Sequence, residues 1–249
     1  MNIPIWRINH LVEVDSTNRW LADAAREGAP SGTVCYADFQ TAGRGRHDHS
    51  WEAPARSGLL CSLLLEQPAD GPGPQWASVA VALAARFALA RLAGIKVDLK
   101  WPNDLLVGSE KLGGLLAQRV SDVDGRWRVV VGIGVNLTTD GPPGAGGISV
   151  ARAGGVTVTA EALLDDMLGY LERGWVSPTW WSEQLRDEYR RVCVTIGHDI
   201  VASTATGDIA GVATSVDDDG SLVVTSESGD IVVAAGDVRH VRRPTGERA

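Results

Sequence analysis

Cysteine is almost missing from this sequence. Only Cys35, Cys61 and Cys193 occur in 249 residues, odd in number and far apart. No CxxC pair and no His/Cys spacing of the metal-ligand kind accompanies them, so neither a disulfide framework nor a zinc site is indicated. A long uncharged apolar run is missing too: the best candidate, residues 76–92, carries Arg86 and Arg91 and reads as a buried helix, short of the ~20 apolar residues of a membrane span. The first eleven residues hold polar and charged groups where a signal peptide needs an apolar stretch. The expectation is a cytoplasmic protein with no membrane association. Positive charge is in deficit, with a net charge of −8, and phosphate-backbone binding needs a basic field, so no DNA partner is expected. Lysine is scarcest of all. Of 23 basic residues only Lys96, Lys100 and Lys111 are lysines, in a chain whose Ala, Gly, Val, Arg and Asp usage suggests GC-rich coding. A lysine retained against that bias is a candidate for a role that needs a compact point charge; Lys96 is read as chance.

What remains is an ordinary globular composition, 44% hydrophobic and 22% charged, long enough for one large domain and a small one. Residues 11–14 read as a short strand, and Ser16 and Thr17 as caps of a helix over 18–27 stopped by Gly28. Strands follow at 33–39 and 59–65, separated by a polar loop over 40–57 that is too long for a turn. After the helix at 76–92 come a strand at 97–101, a hairpin of 105–107 with 112–119, and a Val-rich strand at 126–135. Residues 136–156 contain six glycines and two prolines and are expected to be mobile. Helices over 160–175 and 178–192 close the first part, residues 1–194. From about residue 195 short strands recur at 200–203, 209–216, 222–225, 231–234 and 238–242, the pattern of a small SH3-like β-barrel over 195–249. That part holds nine acidic and four basic residues from Ile196 onward. The fold class is α+β, a mixed central sheet with flanking helices plus a small C-terminal β-domain.

Three stretches carry chemistry. In the first, Gln40 is followed by Gly43-Arg44-Gly45-Arg46 and then Trp51. Glycines let the backbone approach an anion, guanidinium forks match carboxylate and phosphate, and an indole can stack on a ring or cover a pocket. The same residues would serve equally as a solvated basic turn. The second is Lys100-Trp101-Pro102-Asn103-Asp104 with Lys111-Leu112-Gly113-Gly114. A carboxylate at a strand end can bind Mg²⁺, and a lysine on the facing strand can neutralise a reacting acyl phosphate, though a turn and an edge-strand charge account for them as well. The third is Gly132-Ile133-Gly134-Val135-Asn136, where an Asn ending a buried strand can read adenine or cap a turn. Upstream, Asp15-Ser16-Thr17-Asn18 offers hydroxyls and an amide at a helix start, where capping is the commoner use. Walker A, GxGxxG, HExxH and GxSxG are all absent.

In this order the stretches resemble the biotin–protein ligase family: Ser16-Thr17-Asn18, Gln40-x-x-Gly-Arg-Gly-Arg-x4-Trp51, Lys-Trp-Pro-Asn-Asp, Lys111-Leu-Gly-Gly and Gly-x-Gly-x-Asn136. The likeness spans nearly the whole chain. It implies a class II synthetase-like sheet and an enzyme that joins biotin and ATP into biotinyl-5′-AMP, then passes biotin to a lysine of a biotin carboxyl carrier domain. It further implies that Ser16, Thr17 and Gln40 hydrogen-bond the biotin ureido ring, with Asn18 nearby, and that Gly43, Arg44, Gly45 and Arg46 close over biotin and the adenylate phosphate. Lys111, beside Gly114, would sit between carboxylate and α-phosphate. Trp51, Asn103, Gly134 and Asn136 would hold the nucleotide, and Asp104 would help place Mg²⁺ and serve the acceptor amine. Residues 136–156 would order over the adenylate. Two departures stand out. His47-Asp48-His49-Ser50 replaces a more basic loop, which weakens the expectation of a pyrophosphate contact there. The chain begins near the catalytic part, so a monofunctional enzyme without repressor activity is expected, as a monomer or weak homodimer. A lipoate or octanoate ligase and a non-catalytic biotin-binding module are the competing readings.

Overall fold

A computed structural model describes residues 6–46, 49–68, 75–123, 126–142, 146–175 and 183–241. Its centre is a seven-stranded sheet in the order β1-β2-β3-β7-β6-β5-β4. The strands are β1 (Arg7–Val14), β2 (Thr33–Gln40), β3 (Gly58–Pro68), β4 (Asp98–Lys100), β5 (Asp104–Val107), β6 (Glu110–Val123) and β7 (Arg126–Asn136). Only β1 and β2 run parallel, joined through helix α1 (Thr17–Arg26); every other neighbouring pair is antiparallel. The mixed sheet predicted from sequence is therefore present. β1 starts four residues earlier than the sequence suggests, because this edge strand is largely exposed, Ile8 and Val12 included, and polar Asn9 and His10 interrupt the apolar run by which a strand is recognised.

β3 and β7 pair over eleven residues, from Gly58↔Asn136 to Pro68↔Arg126. Their Leu and Val side chains are almost wholly buried, since helices cover one face and α1 the other. Helix α2 (Gln75–Ala93) packs on α3 (Ala160–Trp175) over the sheet. By length and composition α2 could cross a membrane, but Trp76, Leu83, Ala84, Ala85, Ala88 and Leu89 are buried against protein. α2 matches its expected span to one residue and α3 matches in full. The helix expected over 178–192 is described from α4 (Leu185–Val192), and residues 176–182 lie outside the described residues.

The C-terminal strands β8 (Asp199–Thr204), β9 (Gly207–Val216), β10 (Leu222–Ser226), β11 (Gly229–Val233) and β12 (Asp237–His240) form a five-stranded antiparallel sheet, order β11-β10-β9-β8-β12. Its buried Ile200, Ala213, Leu222 and Val238 belong to the same core as α2 and β7. Two tryptophans lock the sheets together: Trp76 Nε1 donates to Asp218 O at 2.8 Å and Trp101 Nε1 to Gly220 O at 3.0 Å. The small sheet is thereby seated at the mouth of the large one.

Candidate functional site

A cavity of about 420 Å³ opens at that mouth, within the size range of small-molecule sites. Its polar end is built where β1 passes into α1 and β2 ends beside it; Thr41 and Ala42 donate backbone hydrogen bonds to Val14 and Asp15. Sequence favours Ser16 and Thr17 as helix caps. The structure gives that work to another residue: Ser16 is extended at the helix start and makes no side-chain cap bond. Instead Gln40 Oε1 accepts from Thr17 N at 2.8 Å and from Thr17 Oγ1 at 3.0 Å. A carboxamide oxygen at the positive end of a helix satisfies one orphan donor. Asn18 is 4% exposed and turned into the sheet, where Nδ2 donates to Leu116 O at 3.0 Å and Oδ1 accepts from Ser62 Oγ at 2.6 Å.

The glycine–arginine loop forms one wall. Arg44 and Ser50 make an antiparallel bridge, Gly45 N donates to His49 O at 2.6 Å and Trp51 N to Gly43 O at 3.0 Å. Gly43 is needed for that close approach: a Cβ there would overlap Trp51 O and stand 2.9 Å from Gln40 Nε2. Trp51 lays its indole over Gly134, where a Cβ would meet the ring. Its Nε1 is buried without a hydrogen-bond partner among the described residues. Arg46 lines the cavity yet already reaches the small sheet, with Nη1 3.1 Å from Gly236 O and 3.2 Å from Asp237 Oδ1. His47 and Asp48 lie outside the described residues.

The facing wall is the β5–β6 hairpin. Asp104 Oδ1 and Lys111 Nζ pair at 2.6 Å. Strand alternation alone would put residues 111 and 114 on opposite faces. A bulge removes that offset: Leu105 opposes Gly113 while Leu106 opposes Lys111, leaving Leu112 unmatched. Asp104, Lys111 and Gly114 thus share one face, and a Cβ at Gly114 would already touch Lys111 Cε and Nζ at 3.3 Å. Asn103 spends its amide on Leu115 O at 2.7 Å, holding the turn before Asp104, and still lines the cavity.

Of the residues singled out from sequence, Ser16, Thr17, Asn18, Gln40, Arg44, Gly45, Arg46, Trp51, Asn103, Asp104, Lys111, Gly114 and Gly134 line this one cavity. Gly43 and Asn136 do not. Asn136 is 6% exposed and donates from Nδ2 to Ile148 O at 3.2 Å. Ile148 N in turn donates to Lys111 O and Lys111 N to Gly146 O, so Asn136 fastens the segment that runs alongside Lys111. Composition predicts a mobile stretch over 136–156. Its described parts are tied down by these bonds and by Asp140, which accepts from Ser149 and pairs with Arg152; residues 143–145 lie outside the description.

Some of the lining is not evident from the sequence motifs. Leu60, Cys61, Leu116 and Ile133 make an apolar floor, and Asp237, Val238 and Arg239 arrive from the small sheet. Lys100, which opens the Lys-Trp-Pro-Asn-Asp motif, lines the cavity as well. Burial pushes the thiols of Cys35, to about 12, and Cys61 up, so neither is a nucleophile. The cavity collects five cationic side chains, Arg44, Arg46, Lys100, Lys111 and Arg239, against the carboxylates of Asp104 and Asp237. In a chain of net charge −8 that concentration selects an anionic ligand.

The seat of the small sheet titrates. His240 on β12 stacks on His198 with centroids 5.2 Å apart, and its Nε2 is buried without a hydrogen-bond partner among the described residues. Burial, then Lys100 and His198, hold its imidazole below the ordinary 6.5. The fold therefore prefers neutral His240; its stabilising contribution is complete above pH 6.5 and is lost as pH falls through the lower folded value. Thermal unfolding between pH 7 and 5 should show His240→Gln losing less stability on acidification than wild type; identical slopes would remove this group from the account.

Comparisons with known proteins agree with the geometry. The family model described as Biotin/lipoate A/B protein ligase matches residues 12–136. The biotin–[acetyl-CoA-carboxylase] ligase of Mycobacterium tuberculosis is 33% identical, covering 95% of this chain and 90% of that protein. The Paracoccus denitrificans protein of the same name is 31% identical over 92% and 98%. Among solved structures, the biotin protein ligase from Aquifex aeolicus in complex with biotin and ATP superposes with a TM-score of 0.78 at 23% identity, covering 95% of this chain and 99% of that one. Matched over half its length by the model and over nearly all of it by these relatives, the chain belongs to the biotin/lipoate A/B protein ligase family.

Proposed function

We propose that this protein activates biotin with ATP to biotinyl-5′-AMP and transfers the biotinyl group to a lysine of a biotin carboxyl carrier domain. The observation that carries the reading is one cavity with a neutral hydrogen-bonding end at Ser16, Thr17 and Gln40 and a cationic end at Arg44, Arg46, Lys100 and Lys111. A ring bearing N–H and C=O groups suits the first, and a carboxylate beside a phosphate suits the second.

The chemistry sets the requirement. A carboxylate oxygen attacks the α-phosphorus of ATP and the bond to the bridging oxygen breaks, releasing pyrophosphate. Two anions must meet, so the charge they share has to be offset by groups already in place. Lys111 stands there on a rigid hairpin, and Arg44 and Arg46 supply the opposite wall. The carrier's lysine amine then attacks the acyl carbonyl, loses a proton and displaces AMP. Asp104, 2.6 Å from Lys111, is the carboxylate positioned to take that proton. Among the described residues no group of three His, Cys, Asp or Glu side chains forms a metal cage. The donors suit Mg²⁺ carried in on the triphosphate, with Asp104 as the protein's ligand, since Mg²⁺ keeps most of its waters and needs few carboxylates. Bound so, it would screen phosphate charge. A cytoplasmic enzyme, monomeric or weakly dimeric, completes the reading.

Incubation with ATP, Mg²⁺ and labelled biotin is the test. Biotinyl-adenylate and an equivalent of pyrophosphate are expected, and biotin should displace lipoate in competition. Formation of lipoyl-adenylate with no biotin product would assign the chain to the other branch of the family. Tight biotin binding without ATP turnover would leave only a binding module.

A further inference from the structure

Behind the cavity's polar end lies a residue that none of the motifs contains. Ser62, on β3, is fully buried, and its Oγ is 2.6 Å from Asn18 Oδ1 and 2.8 Å from Thr17 Oγ1. It stands in an otherwise apolar strand, Leu59 to Leu65, where a lone hydroxyl has to be hydrogen-bonded to be tolerated. We infer that Ser62 is a positioning residue for acid recognition, fixing the hydrogen-bond polarity that Thr17 presents to the ligand. The inference rests on the biotin reading above.

The few hydrogens available here set the polarity. Asn18 Nδ2 is committed to Leu116 O, so the amide's orientation is set and Oδ1 can only accept. Ser62 has one hydrogen. If it goes to Asn18 Oδ1, the hydrogen of Thr17 has two inward acceptors, Ser62 Oγ and Gln40 Oε1 at 3.0 Å. If it goes to Thr17 Oγ1, the Thr17 hydrogen is the one donated to Gln40 Oε1 at 3.0 Å. In both arrangements the Thr17 hydrogen points away from the cavity, and the hydroxyl offers the cavity a lone pair. Gln40 Oε1 is filled by Thr17 N and Oγ1, which leaves Gln40 Nε2 as the neighbouring donor. One outward acceptor beside one outward donor is the complement of an N–H next to a C=O, the edge of a ureido ring. Without Ser62 the Thr17 hydroxyl keeps a single inward partner, already shared, and Asn18 Oδ1 is orphaned in a buried site.

Ser62→Ala is therefore expected to raise the Kd for biotin, titrated calorimetrically without ATP, by about tenfold, the scale of one buried hydrogen bond. The Kd for ATP should stay within about twofold, since Ser62 bonds Thr17 and Asn18 at the opposite end of the cavity and sites that share no partners act nearly independently. Ser62→Thr, which keeps the hydroxyl, should restore biotin binding. Wild-type binding of biotin together with unchanged Kd in Ser62→Ala would overturn the inference alone. So would a loss of both affinities with a lowered Tm that Ser62→Thr does not rescue, which is the signature of a merely structural residue. Should Ser62→Thr fail to fold, the split between the two Kd values in Ser62→Ala decides. Absence of biotin binding in wild type would overturn the parent reading, and this inference with it.

Discussion

Replacing Lys111 by alanine should slow biotinyl-adenylate formation by more than about 10²-fold, the scale on which one preorganised charge contributes to a transition state. The fold should hardly notice. The Lys111 side chain is 40% exposed and, among the described residues, pairs with Asp104, a contact too wet for its loss to cost much stability. The defect should lie in kcat, because the repulsion that Lys111 offsets grows as carboxylate and α-phosphate close together, while biotin alone is held at the other end of the cavity. Arginine is not expected to substitute. The Leu112 bulge delivers a compact ammonium onto the face shared with Asp104 and Gly114, and a longer planar guanidinium would place its charge elsewhere. Single-turnover adenylation, with Tm recorded in parallel, checks this; a Lys111→Ala enzyme within tenfold of wild type would remove Lys111 from the chemistry.

Gly132→Ala is expected to be worse, costing about 2–4 kcal/mol of stability by overpacking and abolishing biotin binding. Gly132 sits mid-strand in β7, opposite Ser62 on β3 and Leu116 on β6, so both neighbours are backbone-paired and neither can move aside. A Cβ there would overlap Asn18 Oδ1, with Asn18 Cγ at 2.8 Å and Nδ2 at 3.0 Å. Asn18 would be driven off both Leu116 O and Ser62 Oγ, leaving buried polar atoms unpaired and the start of α1 unanchored. Chemical denaturation and a biotin titration on the same preparation read out both effects. Retained stability and retained binding would show that Asn18 is not held as described. Gly134, two residues on, meets the Trp51 ring in the same way, so its alanine variant should disturb the nucleotide wall and spare biotin.

The motifs carry over to the structure unevenly, for physical reasons. Helix α3 and strand β7 are legible because periodicity and a long Val run are local properties. The arginine loop and the Lys-Gly-Gly hairpin reach one cavity because each ends a strand at the same edge of one sheet. What sequence cannot show is partnership across the chain. Arg46 meets Asp237, 191 positions away, and nothing near either residue announces the other. Ser62 reads as a small residue in an apolar strand until Asn18 and Thr17 are seen beside it. The bulge at Leu112 leaves no local mark, yet without it Lys111 would face the wrong side. Gln40 serves the start of α1 where sequence favours Ser16: its Oε1, from a neighbouring strand end, takes the Thr17 N–H, while the Ser16 hydroxyl makes no cap bond.

The central claim is that acid and nucleotide share one cavity with Lys111 between them. A crystal structure of the protein with biotin and a non-hydrolysable ATP analogue tests it most directly. The bicyclic ring is expected against Thr17 and Gln40, with the carboxylate and α-phosphate both within hydrogen-bond reach of Lys111 Nζ. Biotin or nucleotide ordered elsewhere on the protein, with Lys111 still paired only to Asp104, would contradict it.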